Sequence, residues 1–211
     1  MDLHVLPHHP RSALITIDVQ RDTLDGQPFE VPGTSLILPR IQRLLRFFRA
    51  NSRPIVHIVR LYKPDGSNVD LRRRMAVASG KPLVLTGSPG SQLAEALLPS
   101  SETLLDSERL LSGGIQEVGP LESVIYKPRW GAFYQTPLEA HLRHLGATTL
   151  VFTDCNFPNC PRTSIYEASE RDFRVVAIRD AISGVDTQGQ SQLEDIGVVV
   201  WETERYLAAA A

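Results

Sequence analysis

Three residue types in this chain can do chemistry together: a carboxylate at Asp18, an ammonium at Lys127 and a thiol at Cys160. Each stands at or just beyond the end of a short apolar run. The thiol has the most telling surroundings. Thr148–Thr153 is rich in β-preferring residues and reads as a strand, and Pro161–Phe173 reads as a helix. Proline suits the first helical turn, where its missing N–H would go unpaired anyway. That places Cys160 at or next to the N-cap. Backbone donors and the positive end of the helix dipole face the sulfur there, and the expectation is a lowered thiol pKa. A strand, a sharp turn, a nucleophile and a helix start suit an attacking cysteine. A small buried core cysteine is the plainer alternative.

The elements that must position these groups alternate between strand and helix. Ala13–Ile17 is a near-continuous apolar run ending in Asp18. Ile55–Val59 ends in Arg60, and Val124–Tyr126 ends in Lys127. Arg174–Ile178 and Val198–Trp201 complete six strands. Helices are expected from Thr34 or Ser35 to about Ala50, from Thr136–Pro137 to about Leu145, and over Ser191–Ile196. The first of these carries Leu36, Ile37, Ile41, Leu44, Leu45 and Phe48 near helical spacing. Strands apolar along their whole length imply burial on both faces. The fold class is therefore α/β: three layers, α/β/α, around a six-stranded, mainly parallel sheet. Residues 83–120 read as irregular, with a short helix over Ser91–Leu98 and a small hairpin. Residues 1–11 are expected to be a loose leader, 12–205 a single domain and 206–211 a tail.

Bulk composition narrows the function. The chain has 211 residues, 42% hydrophobic and 22% charged, with a net charge of −2. Nothing in that balance favours nucleic acid or an anionic membrane as partner. No apolar run approaches the roughly 20 residues of a membrane span. The N-terminus lacks the basic and apolar regions of a secretory signal, so a cytoplasmic location is expected. Two cysteines, Cys155 and Cys160, do not make a structural zinc site. The first strand is not followed by a G-x-G-x-x-G turn, which disfavours a dinucleotide. The expectation is no cofactor and no metal. The long segment after the second strand, with Arg72, Arg73 and Arg74 in a row, is read as a solvated turn or as an anion or subunit contact.

Ligands of open α/β sheets bind outside the carboxyl ends of the strands. Asp18, Arg60, Lys127 and Cys160 occupy those ends. At this point the chain resembles the isochorismatase-like cysteine hydrolases, which include nicotinamidases, N-carbamoyl-amine hydrolases and related amidases. The matching pieces are ALITIDVQ, VIYKPRWGAF, TDCNFPNCPRTSIYEA and RVVAIRDAISG, in the family's order and over residues 12–201. The resemblance implies a triad of Asp18, Lys127 and Cys160, an oxyanion hole from the backbone N–H groups of Asn156 and Cys160, and a cis Cys155–Asn156 peptide. It implies hydrolysis of a non-peptide C–N bond in a small amide, carbamoyl or ureide substrate through a thioester, and a homodimer or homotetramer.

Departures sit in the turn. Asp154 stands where relatives commonly have Gly, Cys155–Asn156 where they have a small residue followed by Thr, and Pro161 where an aliphatic residue is frequent. These alter the pocket rather than the nucleophile. Metal-containing nicotinamidases carry an Asp-x-His element after the second strand, with another His nearby. Here the segment reads RLYKPDGSN, so neither metal nor nicotinamide is implied. Gln20, Arg60, Trp130, Phe133, Tyr134, Phe157 and Arg162 are candidates to line the substrate pocket, with Arg129 a further guanidinium near it. Two rivals remain: vinyl-ether hydrolysis of an isochorismate-like substrate, for which the cysteine is dispensable, and a non-catalytic binding protein on the same fold.

Overall fold

A computed structural model describes residues 3–211. In chain order the regular elements are β1 Ser12–Ile17, α1 Thr34–Ala50, β2 Ile55–Val59, α2 Arg74–Ala78, α3 Ser107–Leu111, β3 Gln116–Gly119 and β4 Glu122–Tyr126. They continue with α4 Leu138–His144, β5 Thr149–Asp154, α5 Cys160–Ser169, β6 Arg174–Ile182, α6 Thr187–Asp195, β7 Val199–Trp201 and α7 Thr203–Ala210. The sheet has seven strands in the order β3-β4-β2-β1-β5-β6-β7. All neighbours are parallel except β3, which forms a hairpin with β4. That short, half-buried edge strand is the seventh. Its QEVG sequence lacks the apolar run that marks the others. No helix among the described residues is long and apolar enough to cross a membrane.

The central strands are mostly apolar, and their few polar side chains, such as Thr16, His57 and Thr153, are buried as well, because both faces are covered. β1, β2 and β5 are buried along their full length. One face packs Ile37, Ile41, Leu44, Leu45 and Phe48 of α1 and Tyr206 of α7. The other packs Leu138 and Leu142 of α4, Ile165 and Ala168 of α5, and Leu193 of α6. Leu36, expected on the inner side of α1, is instead 74% exposed. It lies in the first turn, just outside the stripe that the later residues define. Neither Thr34 nor Ser35 caps α1. Gly33 is the N-cap, in left-handed geometry, and the Asp25 carboxylate accepts from the N–H groups of Gly33 and Ser35.

Described residues near both ends of the chain are tied to the domain. His8 N–H donates to Thr149 Oγ1 at 2.9 Å, and Thr148 N–H donates to the Arg11 carbonyl at 2.9 Å. At the other end Tyr206 is fully buried, stacks on Phe48 and donates its hydroxyl to Ser12 Oγ at 3.1 Å. The last helix completes one face of the core rather than trailing from it.

Beneath β2 lies a buried polar chain. His57 contacts Thr16 Oγ1 through Nδ1 and Glu122 Oε1 through Nε2, each at 2.8 Å, and Arg49 forks onto the Glu122 carboxylate at 2.6 and 2.8 Å. Burial pushes the Glu122 carboxyl up, but the bonds from Arg49 and His57 outweigh it and lower its pKa to about 2. A depressed carboxyl contributes stability that is present above the ordinary glutamate range and lost as pH falls toward 2. Glu122→Ala is expected to cost about 3–5 kcal/mol in urea unfolding, because it strands a buried imidazole and a half-buried guanidinium. Glu122→Gln, followed by thermal unfolding from pH 6 to pH 2, is expected to lose stability less steeply with acid than the parent protein.

Candidate active site

The sheet ladder converts three distant residues into neighbours. Asp18 N–H bonds the Ile58 carbonyl at 2.9 Å, Lys127 N–H the Val59 carbonyl at 3.0 Å, and Cys155 N–H the Ile17 carbonyl at 3.2 Å. The ends of β1, β4 and β5 are thereby level on one rim. The rim lies where the strand order reverses, with β2 on one side of β1 and β5 on the other. Asp18 has φ 55°, the left-handed region that Asp tolerates better than most residues, and this bend carries its carboxyl off the strand axis.

Lys127 Nζ donates to Asp18 Oδ2 at 2.8 Å, with Lys127 wholly buried and Asp18 nearly so. Asp18 Oδ1 has no hydrogen-bond partner among the described residues and is the oxygen left to receive a proton. Burial opposes the Asp18 charge, but Lys127 and Arg60 outweigh that cost and hold its pKa below the usual range. Cys160 is the first residue of α5, with Asn159 as N-cap and Pro161 next. The expected lowering of its pKa is reversed. Burial pushes the thiol up and the adjacent Asp18 charge pushes it further, against the pull of Lys127 and Arg60. The resting pair is therefore thiol and carboxylate. Burial also pushes the Cys155 thiol up to about 12, which leaves it inert near neutral pH. Both cysteines are free.

The Cys155–Asn156 peptide is cis. The backbone N–H groups of Asn156 and Cys160 find no acceptor among the described residues. Phe157 N–H is bound to the Ser183 carbonyl and Asn159 N–H to the Asn156 carbonyl, which pins the turn on either side. Among the described residues no three His, Cys, Asp or Glu side chains gather as a metal-binding group.

Asp18, Cys160 and Asn156 open onto one narrow cleft. Gln20, Thr23, Phe29, Val31, Arg60, Tyr62, Arg73, Leu83, Val84 and Cys155 line it too. Gln20 borders the cleft, but its amide is occupied: Oε1 accepts from Arg60 N–H, and Nε2 donates to the Arg60 and Ser91 carbonyls. Arg60 donates to the carbonyls of Pro128 at 2.9 Å and Arg129 at 2.6 Å, so it clamps the segment that carries Lys127. The aromatic candidates lie elsewhere. Trp130 and Tyr134 border a separate depression with Arg129 and Glu167. Phe133 and Phe157 are core residues, the latter against Gly189, where any Cβ would meet its ring at 2.3 Å. Arg162 lies over Tyr166 of its own helix. Nearness in sequence to a catalytic position did not make these residues face it. The walls that sequence reading missed come from the loops around Phe29 and Val84, joined by Asp22 Oδ2 accepting from Val84 N–H at 2.7 Å.

With this geometry in view, comparison with known proteins is decisive for the family. The isochorismatase domain model matches residues 12–110 and 114–200. The chain belongs to that family. It is 28% identical over 194 residues to a probable inactive nicotinamidase of Arabidopsis thaliana, covering 89% of this chain and 90% of the relative. It is 29% identical over 182 residues to a ureidoacrylate amidohydrolase of Methylobacterium radiotolerans, covering 80% of this chain and 65% of that longer relative. Among solved structures, an isochorismatase family protein of Desulfovibrio vulgaris subsp. vulgaris str. Hildenborough superposes with a TM-score of 0.80. That pair shares 27% identity, over 94% of this chain and 97% of the other.

Burial and, after it, the Asp18 charge raise the Cys160 pKa, so Asp18→Asn is expected to lower it. Iodoacetamide labelling of Cys160 from pH 6 to pH 10 checks this. The labelling midpoint moves to lower pH in the variant; a midpoint that stays or rises contradicts the assignment.

Proposed function

We propose that this isochorismatase-family protein is a cysteine hydrolase that cleaves a non-peptide C–N bond in a small amide, carbamoyl or ureide substrate. The observation that carries this reading is the free Asp18 Oδ1 beside a buried thiol at a helix start, with Lys127 fixed on the other carboxylate oxygen. A relative named for a ureide amidohydrolase supports the substrate class.

Asp18 Oδ1 takes the thiol proton as sulfur attacks the substrate carbonyl. The new C–S bond forms and the carbonyl electrons move to oxygen. The N–H groups of Asn156 and Cys160, free of other acceptors, stabilise that oxyanion; donors already in place cost nothing to reorganise as charge develops. When the oxyanion collapses, the C–N bond breaks and the amine leaves with the proton from Asp18. Water then attacks the thioester, giving its proton to Asp18, which returns it to the departing sulfur. Lys127 keeps Asp18 ionised at the start of each half-reaction and confines it to one orientation.

The starting thiol is neutral, so the proton transfer accompanies attack rather than preceding it. That arrangement guards the sulfur against adventitious alkylation and oxidation between turnovers. Vinyl-ether hydrolysis leaves the thiol without a role, which is why the amide reading is preferred.

Ammonia release from a panel of small amides, carbamoyl amines and ureides tests the proposal. Cys160→Ala and Cys160→Ser are each expected to reduce kcat by about a thousandfold or more on any substrate turned over, with the fold intact by circular dichroism. Parental rates in Cys160→Ala, or no turnover across the whole panel, contradict it in favour of a non-catalytic binding protein.

A further inference from the structure

The cleft holds a second polar feature that the triad does not use. Two guanidinium groups, Arg60 and Arg73, line it together with Asp18 and Cys160. Arg60 is largely spent on the carbonyls of Pro128 and Arg129. Arg73 is not. Its Nη1 lies 3.4 Å from Asp70 Oδ2, longer than an ordinary charge-assisted bond, and its Nε and Nη2 find no acceptor among the described residues. Its planar head sits 5.4 Å from the centre of the Phe29 ring, which holds the fork in one orientation. The side chain is only 18% exposed.

Asp70 does not neutralise this group fully. Its Oδ2 accepts the Tyr62 hydroxyl at 2.5 Å and lies 3.4 Å from both Arg60 and Arg73, while its Oδ1 accepts Arg73 N–H at 3.2 Å. One carboxylate is thus shared between two guanidiniums. The charged groups of the cleft and its margin are then three cations, Arg60, Arg73 and Lys127, against two carboxylates, Asp18 and Asp70. Asp22, behind Val84, is pushed toward its neutral form by burial, against the bond from Val84 N–H. The space is narrow and partly apolar, and charge there is screened less than in water. Arg73 is also within electrostatic reach of Cys160.

We infer that the substrate is an anion: its amide or ureide carbonyl meets Cys160 while a carboxylate on the same molecule is gripped by Arg73. The inference rests on the nucleophilic role proposed above for Cys160 and adds the charge of the substrate. A guanidinium fork matches a carboxylate with two parallel N–H bonds. A neutral substrate of the same shape leaves those donors unpaired in a buried site and binds correspondingly worse. Of the three consecutive arginines, only Arg73 is turned inward. Its backbone and side chain are both drawn to Asp70 three residues earlier, while Arg72 and Arg74 are exposed.

Two alkylating agents of nearly equal shape read the charge directly on the intact protein. Iodoacetate is an anion and iodoacetamide is neutral; each forms a C–S bond to Cys160 and expels iodide. Rates near neutral pH are followed by peptide mapping, with free cysteine as reference. The ratio of iodoacetate to iodoacetamide rates at Cys160 is expected to exceed that of free cysteine by about tenfold. Arg73→Gln is expected to bring the ratio down to the free-cysteine value, Arg73→Lys to retain part of the preference, and Arg72→Gln, on the exposed neighbour, to leave the ratio alone. A parental ratio at or below that of free cysteine, or one unmoved in Arg73→Gln, overturns the anion site and leaves the nucleophile standing. Parental turnover of an anionic amide or ureide by Cys160→Ala overturns the nucleophile, and the anion site with it.

Discussion

A buried ammonium bonded to a buried carboxylate is the constraint that the rest of the site obeys. Lys127 and Asp18 are 2.8 Å apart, 109 residues apart in sequence, and both out of water. Removing two such charges from solvent costs several kcal/mol each, and only good geometry with further hydrogen bonds recovers it. The protein supplies that geometry through the main chain. Each partner donates its own backbone N–H to a carbonyl of β2, so their separation is set by strand register rather than by flexible side chains. Arg60 reinforces this by holding the carbonyls just beyond Lys127, and Gln20 holds the backbone of Arg60 in turn. Residues that look like pocket lining are thus part of the frame that keeps the ion pair in place.

The same pair sets the electrostatics of the sulfur. With Asp18 charged and Cys160 buried beside it, the helix start does not by itself produce a thiolate. The two titrating groups are pushed in opposite directions: the carboxyl down, the thiol up. That separation assigns the proton to sulfur and the acceptor lone pair to Asp18 Oδ1 before substrate arrives, which is the arrangement a general base needs. Arg60 acts on both groups as well as on the segment behind Lys127, so one buried guanidinium links the frame to the chemistry.

A further set of buried groups lies outside this scheme. Both carboxylate oxygens of Asp154 and the hydroxyl of Ser183 lack hydrogen-bond partners among the described residues, at the ends of adjoining strands beneath the turn. Burial pushes the Asp154 carboxyl well above its ordinary range, and the nearby Asp18 charge adds to this. A neutral acid at that position is compatible with the ion pair beside it; a second carboxylate would compete with Asp18 for Lys127.

What the amino-acid order determined by itself was local and periodic. Continuously apolar strands required a sheet covered on both faces, and the polar residues ending them, Asp18, Arg60 and Lys127, had to lie along its carboxyl edge. A cysteine followed by proline before a helix had to sit at that helix's start. What only the tertiary structure decided depends on contacts between segments far apart in the chain. The direction of the thiol pKa shift was one such matter, because a helix start is visible in sequence but burial beside Asp18 is not. The lining of the cleft was another. Trp130, Phe133, Tyr134 and Phe157 neighbour catalytic positions along the chain yet face a separate depression or the core, while Phe29, Tyr62, Arg73 and Val84 arrive from loops whose placement rests on Asp22, Asp70 and the sheet edge. Tyr206 belongs to the same class: its burial arises from Phe48 and Ser12, far from it in sequence and brought to it by the fold. Strand periodicity reports which way one side chain points; it carries no information on which distant loop will close over it.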